Sequence, residues 1–292
     1  MRNVPFAERS VWIYPLQAMP TALLSSDHKK VRIAQFIDCT LSYLIEGYRL
    51  ESRLSRSVRR QLLDREHESY LRADAIFCFH EGIRQEIVSR HGIALDKVRT
   101  IGRGVNIDRA VAEPGRHSSS ELFKLIFVGA DAHRKGLFEL IAAIDRLVET
   151  QRNRVELTVI GPPANKVPKR PYVRAKGFLG VEHRETVLEL MQAADVGVLL
   201  SSAEGLPGFI WEMLYLGKPV LVANLPHYDD LPAGFPIVQV SQPLKLDEVT
   251  ETLSKMIDRT LMSPAPSMEL RSSLSWEVQA KIVSDWIKSA CQ

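Results

Sequence analysis

The chain has 292 residues, of which 45% are hydrophobic and 25% are charged, and its net charge at pH 7 is +3. This is an ordinary soluble composition with a length that suits two domains, and the mild positive charge is not by itself the footprint of a nucleic-acid-binding protein. No apolar run approaches the ~20 residues of a membrane span, and the first residues lack the apolar region of a signal peptide. Three scattered cysteines predict neither a disulfide framework nor a metal cluster, which favours a reducing, cytoplasmic location.

The first part of the chain alternates apolar runs with segments of helical periodicity. The predicted strands are 11–14, 31–37, 75–79 and 98–101. The predicted helices are a turn at 18–24 and longer segments at 41–50, 57–71 and 80–91. This alternation is typical of a doubly wound parallel sheet. The polar residues 112–121, which contain a Pro-Gly pair and several serines, then predict a domain boundary.

The second part of the chain repeats the same alternation and predicts a second sheet of the same class. The predicted strands are 122–128, 155–160, 173–178, 196–200, 220–223 and 237–240. The predicted helices are 137–150, 184–193, a short one within 201–217, 246–259 and a last one near 275–289.

Arginines are concentrated between the predicted helices of the first part. Arg49, Arg53, Arg56 and Arg60 recur at helical spacing and would form a basic stripe if that segment is helical, with Arg59 beside them. One interpretation is a solvated helix face. The other is contact with anionic lipid head groups or an anionic acceptor, whereas the absence of interleaved aromatic residues argues against single-stranded nucleic acid.

The stretch from Ser201 to Val220 combines a glycine and proline loop with two carboxylates. It follows one apolar strand and leads into another, so its loop lies on the side of the sheet where ligands bind. Glu204 stands before the loop and Glu212 follows it on the predicted helix. The loop residues between them are Gly205, Leu206, Pro207 and Gly208. A carboxylate that accepts two hydrogen bonds suits a ribose or hexose diol; the alternative is two glutamates that merely decorate the surface.

The E-x7-E pattern within EGLPGFIWEMLYLGKPVL resembles the donor-site segment of retaining glycosyltransferases of family 4, which have the GT-B fold. The resemblance implies that Glu204 lies near the donor sugar and that Glu212 binds the ribose of the nucleotide. Two glutamates at this spacing arise by chance, but the surrounding strand, loop and helix make the match more specific.

The loop GADAHRKG, residues 129–136, is the second segment that points to an anionic ligand. It joins a strand to a helix, so its N–H groups are expected to converge at the positive end of the helix dipole, near Gly129. Arg134 and Lys135 add two cations that suit a pyrophosphate; the alternative is a solvated pair on an ordinary turn. Many family members carry Arg directly after the first Gly, where this chain has Ala130, so Arg134 is expected to supply the second cation.

Three further positions complete the candidate site. The segment VRAKGFLG, which contains Phe178 and Leu179, resembles the family segment whose backbone holds the nucleotide base, and it is also an edge strand and turn. Asp38 follows a strand within an IDCT segment that resembles a cleft-facing loop of one subgroup, and it is the first domain's candidate for the site. His80 also stands at a strand end, where it could simply begin the next helix.

These observations predict an α/β protein with two Rossmann-like domains in a GT-B arrangement, the first of them abbreviated. The predicted ranges are 1–111 for the acceptor-side domain, 112–274 for the nucleotide-sugar-binding domain and 275–292 for a helix that packs back toward the first domain. The resemblance implies a retaining, metal-independent transfer of a sugar from a UDP- or GDP-linked donor to an acceptor hydroxyl, with Glu204, Lys135, Arg134 and Asp38 as the catalytic set. The alternative is a non-catalytic or partner-dependent donor-binding protein, whereas a dehydrogenase-like protein is disfavoured because no G-x-G-x-x-G follows a strand.

The expected partners follow from this interpretation. No cofactor is expected, since the nucleotide sugar is a substrate, and the acceptor is expected to be a glycan or a lipid-linked molecule. An abbreviated first sheet would expose unpaired backbone groups and apolar surface at one edge. We expect that edge to be covered by self-association, by a partner protein or by peripheral contact with the inner membrane face. No nucleic-acid partner is expected.

Overall fold

The computed structural model describes residues 10–15, 31–108 and 122–291. The chain divides into two compact units, one of Met1–Gly104 with Trp276–Gln292 and one of Val105–Ser275. The domain boundaries expected after residues 111 and 274 stay predictions, and the helical turn at 18–24 and the linker at 112–121 lie outside the described residues.

The first unit contains a four-stranded parallel sheet in the order β1-β2-β3-β4. Its strands are β1 (Ser10–Pro15), β2 (Val31–Ile37), β3 (Ala75–Cys78) and β4 (Val98–Thr100). Its helices are α1 (Leu41–Gly47), α2 (Arg56–Arg72), α3 (Glu81–His91) and, from the end of the chain, α10 (Trp276–Cys291). α10 packs on the sheet, where the Trp286 ring meets the Phe77 ring edge-on with 5.6 Å between ring centroids.

The second unit contains a six-stranded parallel sheet in the order β10-β9-β8-β5-β6-β7. Its strands are β5 (Phe123–Val128), β6 (Val155–Ile160), β7 (Val173–Gly177), β8 (Val196–Leu199), β9 (Val220–Ala223) and β10 (Ile237–Val240). Its helices are α4 (Leu137–Arg146), α5 (Glu149–Arg152), α6 (Arg184–Ala193), α7 (Gly208–Tyr215), α8 (Leu246–Ile257) and α9 (Met268–Ser272).

Counted within the second unit, the strand order is that of a dinucleotide-binding sheet, in which the first and fourth strands are neighbours. Here those neighbours are β5 and β8, and the chain moves outward from them in opposite directions. The crevice at such a switch point, outside the carboxyl ends of the strands, is where ligands bind in open α/β sheets. The predicted α/β class with parallel sheets is therefore confirmed. The switch point of the second sheet makes the loops after β5 and β8 the candidate ligand site.

Buried apolar side chains explain why the central strands were recognisable. All four residues of β3, β8 and β9 are buried, as expected for strands covered on both faces. α4 and α8 each bury one apolar side; α4 buries Leu137, Leu140, Ile141, Ala143 and Ile144.

The basic stripe is wrong as a continuous helical feature. α1 ends at Gly47, Arg49 has a positive φ of 54°, and Leu54 is extended before α2 begins at Arg56. A left-handed residue and an extended residue interrupt the helical spacing, so of the four spaced arginines only Arg56 and Arg60 share a helix, which also contains Arg59. Arg60 lies 3.7 Å from Asp64 on the same helix.

Two other helix predictions differ from the structure. The helix expected at 137–150 is broken at Leu147, whose ψ of 149° is extended and whose side chain is buried, so α4 and α5 are separate. α9 was not predicted, since its five residues are too few to show helical periodicity. Among the described residues, no helix is long and apolar enough to cross a membrane.

Candidate functional site

The loops after β5 and β8 meet at the switch point of the second sheet. The backbone N–H of Ser202 donates to the backbone oxygen of Arg134 at 2.9 Å, which joins the two loops directly. Gly136 has a φ of +72°, and a Cβ built on it would lie 2.4 Å from the backbone oxygen of Leu200. Only glycine therefore fits where the β5–α4 loop passes the end of β8.

Three polar groups converge on one carboxylate oxygen between these loops. Glu204 Oε1 lies 2.5 Å from Lys135 Nζ and 3.0 Å from Arg134 Nη1, and it accepts a hydrogen bond of 2.7 Å from Ser201 Oγ. The Glu204 carboxylate is 6% exposed and the Lys135 side chain is 15% exposed. A buried carboxylate requires such partners, so the two cations and the hydroxyl compensate its charge.

Arg134 is held in place by its own loop. Its Nη1 donates to the backbone oxygen of Ala203 at 2.5 Å, and its Nε lies 3.4 Å from an Asp131 carboxylate oxygen. The backbone N–H of Arg134 donates to the other Asp131 oxygen at 3.1 Å. The guanidinium thus reaches the same carboxylate as Lys135 although Ala130 stands where an arginine was expected.

The expectation that the N–H groups of this loop converge on a ligand is wrong for those that bond within the protein. The backbone N–H groups of Lys135, Gly136 and Leu137 donate to the backbone oxygens of Asp131, His133 and Ala132 at 2.9–3.1 Å. The N–H of Gly129 donates to Ile160 at 2.9 Å. These donors are occupied inside the protein and are not available to a ligand, whereas the side chains of Arg134 and Lys135 bring two positive charges to the same loop.

The second carboxylate, Glu212, projects from α7 and is paired with an arginine that the sequence did not reveal. Arg184 Nη2 donates to Glu212 Oε1 at 2.6 Å and Arg184 Nη1 donates to Oε2 at 3.2 Å. The same Nη2 also donates to the backbone oxygen of Asn106 at 3.2 Å. Arg184 is the first residue of α6, where a cation opposes the helix dipole, and that unusual placement is the only signal that could have found it.

The remaining predicted residues of the second unit lie at or near this edge. Gly205 and Pro207 are buried, Leu206 and Gly208 are half-buried, and Pro207 precedes the first residue of α7. Phe178 follows the end of β7 and is 77% exposed, whereas Leu179 is half-buried against the core. Their role in holding the base stays a prediction.

Asp38 and His80 belong to the first unit, where they follow the adjacent strands β2 and β3. Asp38 is half-buried. His80 is the residue before α3, and its Nδ1 accepts the backbone N–H of Ile83 at 3.3 Å, which makes it a helix cap. Burial lowers the pKa of His80 to about 4, so the ring is neutral at pH 7.

Two further features of the structure, possible metal ligands and a second cavity, were considered as functional sites. In the described ranges, no group of three His, Cys, Asp or Glu side chains is placed to hold a metal ion; metal independence stays a prediction. A cavity of about 440 Å³ lies at the opposite, amino ends of β5, β6 and β7, but its Arg170 and Arg174 pair with Asp145 and Glu156. Because those charges already compensate each other, we assign this cavity no ligand.

A comparison with known protein families finds a match over the segment that contains these loops. Residues 112–231, which include both loops and both glutamates, match the family model described as Glycosyl transferases group 1. No curated protein matches the chain.

Solved structures are similar in fold. WaaG, a glycosyltransferase involved in lipopolysaccharide biosynthesis, is 18% identical with a TM-score of 0.57, over 85% of this chain and 72% of WaaG. HepE of Anabaena in complex with UDP and glucose is 15% identical with a TM-score of 0.67, over 89% of this chain and 72% of HepE. Sucrose-phosphate synthase from Thermosynechococcus elongatus is 16% identical with a TM-score of 0.64, over 89% of this chain and 68% of the synthase.

The fold and the loops at the switch point thus place this chain in the α/β class that has GT-B glycosyltransferases as structural neighbours. More particularly, its second unit carries the segment that matches the group 1 glycosyl transferase model.

Proposed function

We propose that this protein transfers a sugar from a nucleoside diphosphate sugar to an acceptor hydroxyl with retention of configuration at the anomeric carbon. The observation that carries the proposal is the cluster of Lys135, Arg134 and Glu204 at the switch point of the second sheet. The diphosphate of a nucleotide sugar carries two negative charges and gains a third as it leaves, and two cations held on adjacent loops are suited to stabilise the charge that it gains. The family match over residues 112–231 and the UDP bound in HepE support the same class of donor.

The donor and Glu204 compete for the same cations. In the structure Glu204 accepts from both Lys135 and Arg134, so a bound diphosphate takes over part of their charge. Glu204 then has lone pairs for the hydroxyls of the donor sugar. Glu212 lies on the helix that follows and accepts hydrogen bonds from the ribose. The backbone around Phe178 and Leu179 is the candidate contact for the base.

The proposed reaction needs no protein nucleophile. The bond between the anomeric carbon and the diphosphate oxygen breaks, and the acceptor oxygen bonds to the same face of that carbon. The acceptor proton passes to a donor phosphate oxygen, so charge and atoms balance. The protein then contributes positioning and charge stabilisation by Lys135 and Arg134, with Asp38 proposed to orient the acceptor.

A second candidate function is donor binding without transfer, or transfer that depends on a partner. The described part of the first sheet has four strands and the second sheet has six, and this difference motivates the second candidate. A glycan or lipid-linked acceptor, self-association, peripheral membrane contact and a cytoplasmic location stay predictions. Light scattering and vesicle sedimentation of the purified chain would measure self-association and membrane contact.

Calorimetric titration with UDP, GDP and their sugar conjugates tests the proposal. We expect micromolar to millimolar binding of one nucleoside diphosphate class, and slow release of free sugar or transfer to an added acceptor. Proton NMR of the product would report whether the anomeric configuration is retained. Binding without hydrolysis or transfer favours the second candidate, and the absence of binding to every nucleoside diphosphate rejects both.

A further inference from the structure

Arg184 and Glu212 form a two-bond pair whose purpose is not local helix stability. Arg184 occupies the first position of α6, where its positive charge opposes the positive end of the helix dipole. Its guanidinium nevertheless donates to both oxygens of Glu212, 28 residues further along the chain, at 2.6 and 3.2 Å. The position of Arg184 on α6 is locally unfavourable, but its contact with Glu212 is well formed. We conclude that the role of Arg184 is to make this contact.

The Glu212 carboxylate stays partly accessible to a ligand although it pairs with Arg184. The side chain of Glu212 is 17% exposed and that of Arg184 is 34% exposed. The Asn106 backbone oxygen also accepts from Arg184 Nη2, at 3.2 Å, so the guanidinium is held from two directions. A planar guanidinium fixed in this way also fixes the plane of the carboxylate that it binds.

Arg184 leaves part of the hydrogen-bonding capacity of the Glu212 carboxylate unused. An ionised carboxylate has about four acceptor positions, two on each oxygen. Arg184 uses one position on each oxygen, which leaves one on each for a ligand. One remaining acceptor position on each oxygen can take one O–H group each of a vicinal diol, and a ribose offers such a diol at its 2′ and 3′ positions.

We infer that Arg184 is a positioning residue that orients Glu212 for both ribose hydroxyls and thereby makes the site selective for ribonucleotides over 2′-deoxyribonucleotides. This inference rests on the proposed function, because it assumes that a nucleotide donor binds here. Without Arg184, the carboxylate turns freely and is more strongly hydrated, so the second hydroxyl contributes less.

Calorimetric titrations of UDP and GDP against dUDP and dGDP test the inference. For the base that the unaltered protein binds, we expect the ribonucleotide to bind about tenfold or more tightly than the deoxyribonucleotide, the range for one hydrogen bond to a charged group. In Arg184→Met, ribonucleotide affinity falls about tenfold while deoxyribonucleotide affinity changes little, so the ratio approaches one. Arg184→Lys retains the charge without the planar fork and should show an intermediate ratio.

Arg170→Met is the matched control. Arg170 also pairs with a carboxylate through two nitrogens, with distances of 2.8–3.0 Å to Asp145, but it lies at the opposite end of the same sheet. We expect this variant to keep the ribose preference, whatever its loss of thermal stability. Thermal unfolding of all variants separates loss of fold from loss of selectivity, and Arg184→Lys carries the test if Arg184→Met does not fold.

The possible outcomes are distinct. If Arg184→Met weakens UDP and dUDP equally, or leaves the ratio unchanged, Arg184 is only a structural ion pair and the inference is rejected. If the unaltered protein binds the ribonucleotide and the deoxyribonucleotide equally, Glu212 does not bind both ribose hydroxyls. The inference then fails, but nucleotide binding as such is still supported. If the unaltered protein binds no nucleoside diphosphate, the proposed function fails together with it.

Discussion

Lys135 Nζ lies 2.5 Å from Glu204 Oε1, across the two loops that leave neighbouring strands of the second sheet. Both side chains are mostly buried, and Arg134 shares the same carboxylate oxygen at 3.0 Å. The Glu204 carboxylate therefore pairs with the same two cations that the diphosphate of the proposed donor needs. The proposed function therefore predicts opposite effects of the lysine and the glutamate on nucleotide binding, so that the two residues can be tested separately.

Lys135→Ala should weaken nucleoside diphosphate binding by about 1.5–3 kcal/mol, the range for hydrogen bonds to charged groups. The parent nucleoside should bind with unchanged affinity, because it carries no phosphate for the lysine to neutralise. Calorimetry with UDP and uridine, or with GDP and guanosine, measures the difference.

Lys255→Ala provides the control for this lysine. Lys255 also forms an ion pair, 2.6 Å from Glu251, but it lies on the exposed face of α8. Its removal should change neither affinity. Equal losses for nucleotide and nucleoside in Lys135→Ala would show that Lys135 does not reach the phosphates.

Glu204→Gln should tighten binding of the free diphosphate by about tenfold, because the neutral amide competes less for Lys135 and Arg134. Transfer or hydrolysis of the sugar should fall about 100-fold, the magnitude found when one stabilising group is removed from an active site. Parallel calorimetry and product assays measure the two effects. A variant that loses affinity and activity together would contradict the proposed competition.

Gly136→Ala should destabilise the second unit by about 2–4 kcal/mol and weaken nucleotide binding. The new Cβ adds both left-handed backbone strain and overlap with the backbone oxygen of Leu200, which it would approach to 2.4 Å. Gly177→Ala is the matched control, because Gly177 has nearly the same φ, +71°, but no atom within 4 Å of its added Cβ. Chemical denaturation should show a loss of about 1 kcal/mol for the control, from backbone strain alone. Equal losses in the two variants would show that the contact between the loops does not matter.

The features that could be predicted from the sequence are those that local pattern determines. The strands are short apolar runs, and β2, β6, β9 and β10 have the predicted ends because polar or turn residues flank them. The loops that carry Lys135 and Glu204 are each recognisable as a strand, glycine loop and helix. Their proximity follows from the sheet order, in which β5 and β8 are neighbours. From the sequence, both loops are assigned to one donor site through the family resemblance, and no strand order is predicted.

The features that could not be predicted depend on tertiary contacts or on single backbone angles. Arg184 meets Glu212 only because α6 and α7 pack at the same edge, and no spacing rule relates them. The occupied N–H groups of the β5–α4 loop depend on its folded turns. The arginine stripe fails because Arg49 is left-handed, a conformation that residue type alone rarely reveals.

Glu66 is expected to make the stability of the first unit depend on pH. Glu66 Oε1 accepts from the Leu41 N–H at 2.7 Å and from the Tyr70 hydroxyl at 2.8 Å, inside a fully buried environment. Its Oε2 lies 3.6 Å from Nε2 of the buried His91. Burial raises the pKa of Glu66 to about 7, and burial lowers the pKa of His91 to about 4.

These two shifts act in opposite directions on stability. Since the pKa of Glu66 is higher in the folded state than its ordinary value of 4.5, its contribution to the free energy of unfolding is present below pH 4.5 and is lost as pH rises through 7. Since the pKa values of His91 and His80 are lower in the folded state than 6.5, their contributions are present above pH 6.5 and are lost as pH falls through 4. The protonation of Glu66 therefore offsets part of the acid destabilisation caused by the two histidines.

Glu66→Gln removes that offset and should make the loss of stability between pH 7 and pH 4.5 steeper. Relative to the unaltered protein, the free energy of unfolding of the variant should fall by about 2–3 kcal/mol over this interval, because one pKa unit corresponds to about 1.4 kcal/mol. Glu68→Gln is the matched control, since Glu68 lies on the same helix and is exposed, and it should leave the pH profile unchanged. Urea unfolding at half-unit pH steps measures the three profiles. Parallel profiles for Glu66→Gln and the unaltered protein would mean that the Glu66 carboxyl does not take up its proton in this interval, and that its bond to the N–H of Leu41 is made by an ordinary, ionised carboxylate.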